Sequence, residues 1–149
     1  MSLGPTDLTL KGTSVTLAPL SQDHGPALAE AVGDLHKLWY TTVPTPEEMG
    51  AEIARRLALR DAGGMIPFAQ IDATGTPIGM TTYMNIDHAL PRVEIGSTWI
   101  GATAQRGALN TEAKRLLLGH AFEVWDCVAV EFRTHRLNTQ SRRAIERLG

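Results

Sequence analysis

Cysteine occurs once in these 149 residues, at Cys127, so no internal disulfide framework can hold the chain together. A reducing, intracellular setting is expected, with the cytoplasm as the default location. No apolar run approaches membrane-spanning length, and Met1-Ser-Leu-Gly-Pro-Thr6 lacks the basic and apolar regions of a signal peptide. The five histidines (His24, His36, His88, His120 and His135) are scattered, with no pair at helical ligand spacing, so no metal site is expected. There is no Gly-x-Ser-x-Gly turn to anchor a Ser-His-Asp nucleophile. Basic residues are not in excess either. The pI of 6.2 and the absence of a basic stripe with interleaved aromatics argue against nucleic acid.

What is present describes one globular domain over residues 1–149, with 43% hydrophobic and 20% charged residues, ordinary values for a chain with a proper core. The net charge of −2 hides an asymmetry: residues 1–100 carry 6 Lys/Arg against 11 Asp/Glu, and residues 101–149 carry 8 against 5. The basic third contains the most informative stretch. Val93-Glu-Ile-Gly-Ser-Thr-Trp-Ile100 reads as a strand, Gln105-Arg-Gly-Ala-Leu-Asn110 as a small-residue loop, and Thr111 to Trp125 as a helix. A strand entering a helix through such a loop leaves free N–H groups at the positive end of the helix dipole, a natural seat for a phosphate or pyrophosphate. Arg106 adds a cation beside them, and Asn110 is a suitable cap. The same loop read alone is also an ordinary tight turn.

The remaining chain falls into short elements. Val15 to Leu20 reads as a strand, and Ser21 or Asp23 caps a helix through Ala27–Val32 that breaks at Gly33. Thr45-Pro-Glu-Glu48 has the form of a capping box with proline in the first turn, opening a helix to about Arg60. Met65–Ile71 and Pro77–Met84 read as two strands of an antiparallel hairpin around the turn Asp72–Thr76. Cys127–Thr134 reads as a further strand, and Asn138 to Gly149 as a final helix. The fold class is therefore α+β: a mostly antiparallel central sheet flanked by helices, with one parallel crossover at the loop–helix unit.

This order, with its phosphate-type loop, resembles the GNAT superfamily of acyl-CoA-dependent N-acetyltransferases, and within it the RimJ/RimL-type ribosomal-protein-alanine acetyltransferases. The resemblance is carried by Leu38-Trp-Tyr40 with Pro44-Thr-Pro-Glu47, by Glu94-Ile-Gly96 with Trp99, and by Gln105-Arg-Gly107 with Asn110-Thr-Glu-Ala-Lys114. It continues through His120-Ala-Phe-Glu123, Val130-Glu-Phe132, Asn138-x-x-Ser141-Arg142 and Ala144 to Gly149. Two positions depart from the family pattern. The glycine of the cofactor signature stands one place early, at Gly107, and the chain stops where relatives continue into two more strands. The domain is then C-terminally incomplete. The edge at Cys127–Thr134 would be exposed and would offer a pairing site for a second copy.

The resemblance implies acetyl-CoA as cosubstrate, no metal, and an amine acceptor that is a protein N-terminus or a small molecule. It places the cofactor on Trp99, Ile100 and Gly101 and on the loop Gln105, Arg106, Gly107, Ala108, Leu109 and Asn110, with Asn138 along the pantetheine arm and Ser141 near the sulfur. The reaction would be direct attack in a ternary complex. Glu94 is the candidate base. Strand alternation puts Glu94, Gly96 and Thr98 on one face and Val93, Ile95, Ser97 and Trp99 on the other, unless a bulge intervenes. A purely structural pairing of Glu94 with Arg92 stands beside that role. Many family members use a tyrosine near the last helix as acid; the only tyrosines here are Tyr40 and Tyr83. Ser141 stands in that region as a positioning or relay group, and Asn138-x-x-Ser141 is equally a capping arrangement. Trp39, Tyr40 and Tyr83 are candidate walls of the acceptor site, whereas Trp99, Phe122 and Trp125 read as core. Glu112 reads as a structural carboxylate and Cys127 as a buried small hydrophobe. Rival functions are a small-amine acetyltransferase acting on an antibiotic or polyamine, and a CoA-binding module without catalysis.

Overall fold

The computed structural model describes residues 8–33, 43–104, 108–132, 143, 145 and 146. Six strands form one sheet in chain order: β1 (Leu10–Lys11), β2 (Val15–Pro19), β3 (Met65–Asp72), β4 (Pro77–Asp87), β5 (Arg92–Ile100) and β6 (Ala129–Phe132). Every neighbouring pair is antiparallel except β5–β6, which is parallel. Three helices accompany them: α1 (Gly25–Val32), α2 (Met49–Asp61) and α3 (Leu109–Gly119). The parallel step is made across α3, as a crossover requires. The architecture is the expected α+β one.

The punctuation follows from local chemistry. Thr45 and Glu48 exchange the two bonds of a capping box, Glu48 N–H to Thr45 Oγ1 at 3.2 Å and Thr45 N–H to Glu48 Oε1 at 3.1 Å. They close the turn that leads into α2. In the β3–β4 turn, Asp72 Oδ1 accepts from the N–H groups of Thr74 (2.9 Å) and Thr76 (3.0 Å), and Gly75 supplies the φ of 86° that the turn needs.

Two apolar layers sit on opposite faces of the sheet. On one, α3 lays Ala113 and Leu117 against Val15, Leu17, Ile66, Phe68, Tyr83, Val93 and Ile95. On the other, Leu28 and Val32 of α1 and Met49 and Ile53 of α2 cover Ala69, Met80 and Trp99. Two sequence expectations change at the far end of α3. The helix gives way to a π-helical turn over His120–Val124, and Phe122, read as core, is exposed. Cys127 is buried but lies ahead of β6, with its N–H on the carbonyl of Ala121 (2.9 Å). Burial raises its thiol pKa, which suits an inert small hydrophobe.

Glu112, in the first turn of α3, ties the loop before β2 to the helix. Its carboxylate accepts from Ser14 twice, from N–H at 3.0 Å and from Oγ at 2.7 Å. Gly12 makes room for it, since a Cβ there would lie 1.9 Å from Glu112 Oε1. The Ser14 hydroxyl and the neighbouring backbone donors hold this carboxyl below its ordinary value of 4.5. A lowered carboxyl stabilises the fold above its unfolded-state value, and that contribution is lost as pH falls through the folded value. Glu112→Gln should therefore cost about 1 kcal/mol at pH 7, allowing for partial exposure. That corresponds to roughly 2–4 °C in melting temperature. Thermal melts of both proteins should converge as pH drops below 4.5.

Candidate active site

The candidate base lies where the β4–β5 ladder is twice out of step. Met84 pairs with Glu94 and Asp87 with Arg92, so β4 carries an extra residue over Asn85–Ile86. Thr82 pairs with Gly96 and Met80 with Trp99, so β5 carries an extra residue over Ser97–Thr98. Each bulge holds a non-glycine residue at positive φ, Asn85 at 48° and Ser97 at 49°. The second bulge corrects the expected strand parity. Val93 and Ile95 face α3, so Glu94 and Gly96 face the side of α1 and α2. Past Ser97 the alternation inverts. Thr98 bonds Thr81 on the α3 side, and Trp99 joins the layer under α1, on the face that carries Glu94.

Glu94 is 6% exposed, and its Oε1 accepts from Nδ2 of Asn85 at 2.8 Å. The other oxygen lies over Gly96, where a Cβ would stand 3.2 Å from Glu94 Oε2 and 3.0 Å from Met84 Sδ. Arg92, the alternative partner, reaches Glu131 at 3.5 Å and Asp87 at 4.0 Å. Close backbone packing supports the distorted end of the ladder. Gln70 donates from Nε2 to the carbonyls of Met80 (3.1 Å) and Trp99 (3.5 Å), and the Thr81 and Thr98 hydroxyls meet at 2.8 Å. Gly79 is required here, because a Cβ would fall 2.3 Å from the Trp99 carbonyl oxygen.

Sequence reasoning missed a second charge on this face. Arg56 of α2 is 1% exposed, donates to Thr82 Oγ1 at 3.0 Å, and its Nε pairs with Glu52 Oε2 at 3.5 Å. Burial lowers the pKa of its guanidinium, and Glu52 opposes that shift. The signal was available: Met49, Ile53 and Arg56 are the buried positions of α2, and an arginine on such a stripe is out of place. Asn85 was missed too, although asparagine is a poor strand residue and tolerates left-handed backbone.

The cofactor positions fare unevenly. The N–H of Gly101 is committed to the Ile78 carbonyl at 2.7 Å, so it is not a donor to a bound cofactor. The Trp99 carbonyl faces β4 and Gln70. The first turn of α3 begins at Leu109, with Ala108 before it and no side-chain cap. Asn110 is therefore a helical residue and not the cap expected of it; its Oδ1 accepts from Lys114 at 3.2 Å. Glu112 is turned to Ser14. An uncapped helix start, with its acidic residue drawn aside, fits a pyrophosphate. Among the described residues, β6 pairs β5 only from Arg92↔Ala129 to Ile95↔Phe132. Gln105, Arg106, Gly107, Asn138, Ser141, Trp39 and Tyr40 lie outside the described residues. Tyr83 does not line a site. It is fully buried against Phe68 and Trp125, and its hydroxyl donates to the Leu117 carbonyl. No group of three or more His, Cys, Asp or Glu suited to a metal occurs among the described residues. No described helix is long and apolar enough to cross a membrane.

Comparison with known proteins identifies the family. The chain belongs to the GNAT acetyltransferases, since the family model for the acetyltransferase (GNAT) domain matches residues 14–149. A GCN5-related N-acetyltransferase from Brucella melitensis is 33% identical with a TM-score of 0.83, over 97% of this chain and 68% of that one. RimJ from Mycobacterium smegmatis, solved with CoA-disulfide, is 23% identical with a TM-score of 0.81, over 96% and 75%. RimL, a ribosomal L7/L12 α-N-protein acetyltransferase solved in its apo form, is 16% identical with a TM-score of 0.80, over 94% and 78%. No curated protein sequence matches the chain significantly. Family membership makes the chain an N-acetyltransferase and implies acetyl-CoA as the acetyl donor.

The burial of Tyr83 separates its structural role from the site. Tyr83→Phe should cost about 1 kcal/mol of stability through the lost hydrogen bond. Calorimetric titration with acetyl-CoA should give the same affinity for both proteins.

Proposed function

We propose that this chain acetylates a protein N-terminal amine by direct attack in a ternary complex, with Glu94 as the general base. The observation that carries the reading is Glu94 itself: a buried carboxylate between two bulges, with one oxygen held by Asn85 and the other over Gly96. Acetyl-CoA supplies the activated thioester. In this reading the start of α3, together with Gln105, Arg106, Gly107, Ala108, Leu109 and Asn110, holds its pyrophosphate. Ile100 and Trp99 lie beside the pantetheine, Asn138 bonds that arm, and Ser141 stands near the sulfur. Glu94 removes a proton from the incoming ammonium, directly or through a water. The freed amine forms the C–N bond as the C–S bond breaks, and the departing sulfur takes up the second proton that the nitrogen sheds on becoming an amide. An α-amine has a pKa of about 8, so a carboxylate need supply only modest help near neutral pH.

Likeness to RimL, an α-N-protein acetyltransferase of ribosomal L7/L12, supports a protein N-terminus as acceptor, and Trp39 and Tyr40 would border its groove. The acceptor distinguishes this reading from a small-amine enzyme. A short peptide with a free N-terminal alanine should be acetylated in preference to spermine or an aminoglycoside. The reverse order would replace the N-terminal reading with the small-amine one. Glu94→Gln should lower turnover by roughly 10²–10⁴-fold, the usual worth of general base help. Its affinity for acetyl-CoA by calorimetry should stay within a factor of two, since Glu94 has no place in the cofactor loop. Full activity in that variant would remove Glu94 from the mechanism.

A further inference from the structure

We infer that Asn85 is a positioning residue for Glu94, and that the bulge in β4 exists to aim it. The inference deepens the proposed role of Glu94 as base and rests on it. Four observations converge. First, β4 pairs β5 in step from Thr82 to Met84, and there the ladder breaks by one extra residue on β4. Without that extra residue, Asn85 would follow strict alternation away from the face that holds Met84 and Glu94. Second, Asn85 pays a conformational cost, with φ at 48°, and asparagine is among the few side chains that accept it. Third, it uses the resulting position for one bond, Nδ2–H to Glu94 Oε1 at 2.8 Å, from an exposed residue to a buried one. An amide donor to a carboxylate is a charge-assisted bond and fixes rotation about the last side-chain torsion of the glutamate.

Fourth, the second oxygen is confined at the same time. With Oε1 tied to Asn85, Oε2 falls over Gly96, where a Cβ would meet both it and Met84 Sδ. Gly96 is the residue before the β5 bulge, where Ser97 turns to φ 49°. The two bulges therefore act on the same carboxylate: one supplies its donor, and the other bends the strand just past it. A carboxylate with one oxygen fixed presents the other in a single direction, which is what proton transfer at hydrogen-bond range requires. A glutamate held only for packing needs neither the strained donor nor a glycine beside it.

The test uses the full chain with Asn85→Gly and Asn85→Asp. Glycine relieves the backbone and removes the donor, and aspartate keeps the shape and the backbone tolerance while replacing donor with acceptor. Both should lower kcat by roughly ten- to a hundredfold, the usual range for one hydrogen bond to a charged group. The probes are acetyl-CoA and a peptide with a free N-terminal alanine, with spermine as second acceptor. The KM for acetyl-CoA and its calorimetric affinity should move less than twofold, which a general structural defect would not respect. In a double-mutant cycle, Asn85→Gly added to Glu94→Gln should cost nothing further. Additive losses, or wild-type kcat in both Asn85 variants while Glu94→Gln is impaired, would overturn the positioning role and leave the base assignment standing. Full activity of Glu94→Gln, or no turnover of either acceptor by the wild type, would overturn the base assignment and this inference with it.

Discussion

The β4–β5 ladder sets the terms for everything around it. A strand pair with strict register would place side chains on alternate faces from end to end. Here the register slips by one residue on β4 and, farther along, by one residue on β5. Alternation keeps Glu94 and Gly96 together on the α1–α2 face, and the slip on β5 brings Trp99 onto that same face. Gln70, Gly79 and the Thr81–Thr98 hydroxyl pair are the fittings that the distorted end requires, each bonded to or crowding the backbone of the two strands. Without the slips, the layer beneath α1 would lose its tryptophan.

The faces of the sheet divide the labour. The α3 side is the more apolar, and its largest polar member, Tyr83, gives its hydroxyl to a helix carbonyl. Burial pushes that hydroxyl's pKa well above the ordinary tyrosine value, which makes it a poor proton donor as well as an inaccessible one. The opposite face carries charge: Glu94 from the sheet, and Arg56 held by Thr82 and Glu52. A buried arginine is costly to desolvate, and its ion pair offsets the cost only in part. The Asn85–Glu94 and Arg56–Thr82 contacts thus lie on the face opposite Tyr83.

Much of the fold was legible because it depends on short-range rules. The capping box at Thr45–Glu48, the Asp72–Thr76 turn and the strand–loop–helix unit all rest on side chains within a few residues of one another. The short β1 was not legible, as two residues carry no period. The alternation along β5 was read correctly up to Gly96 and inverted beyond it, because a serine at positive φ leaves no mark in composition. Tyr83 was misplaced for a related reason: a tyrosine on a strand reads the same on either face until the covering helix is known. Glu94 could be named as a candidate from the sequence, whereas the contacts of Asn85 and Arg56 depend on partners 9 and 26 positions away.

Strand order equal to chain order has a kinetic side. Each strand from β3 to β5 meets its sheet neighbour through a connection of a few residues, so this central meander can zip with little loop-closure entropy. Two joins cost more: β2 to β3, which spans both α1 and α2, and β5 to β6, which spans α3. The Ser14–Glu112 contact, between residues 98 apart, ties β2's loop to α3 across both of them. Contacts of that separation go with slower folding, because loop-closure entropy must be met before they form. The meander that holds the candidate base is therefore built from pairings close in sequence, whereas the helix that would receive the cofactor is tied to the sheet by contacts far apart along the chain.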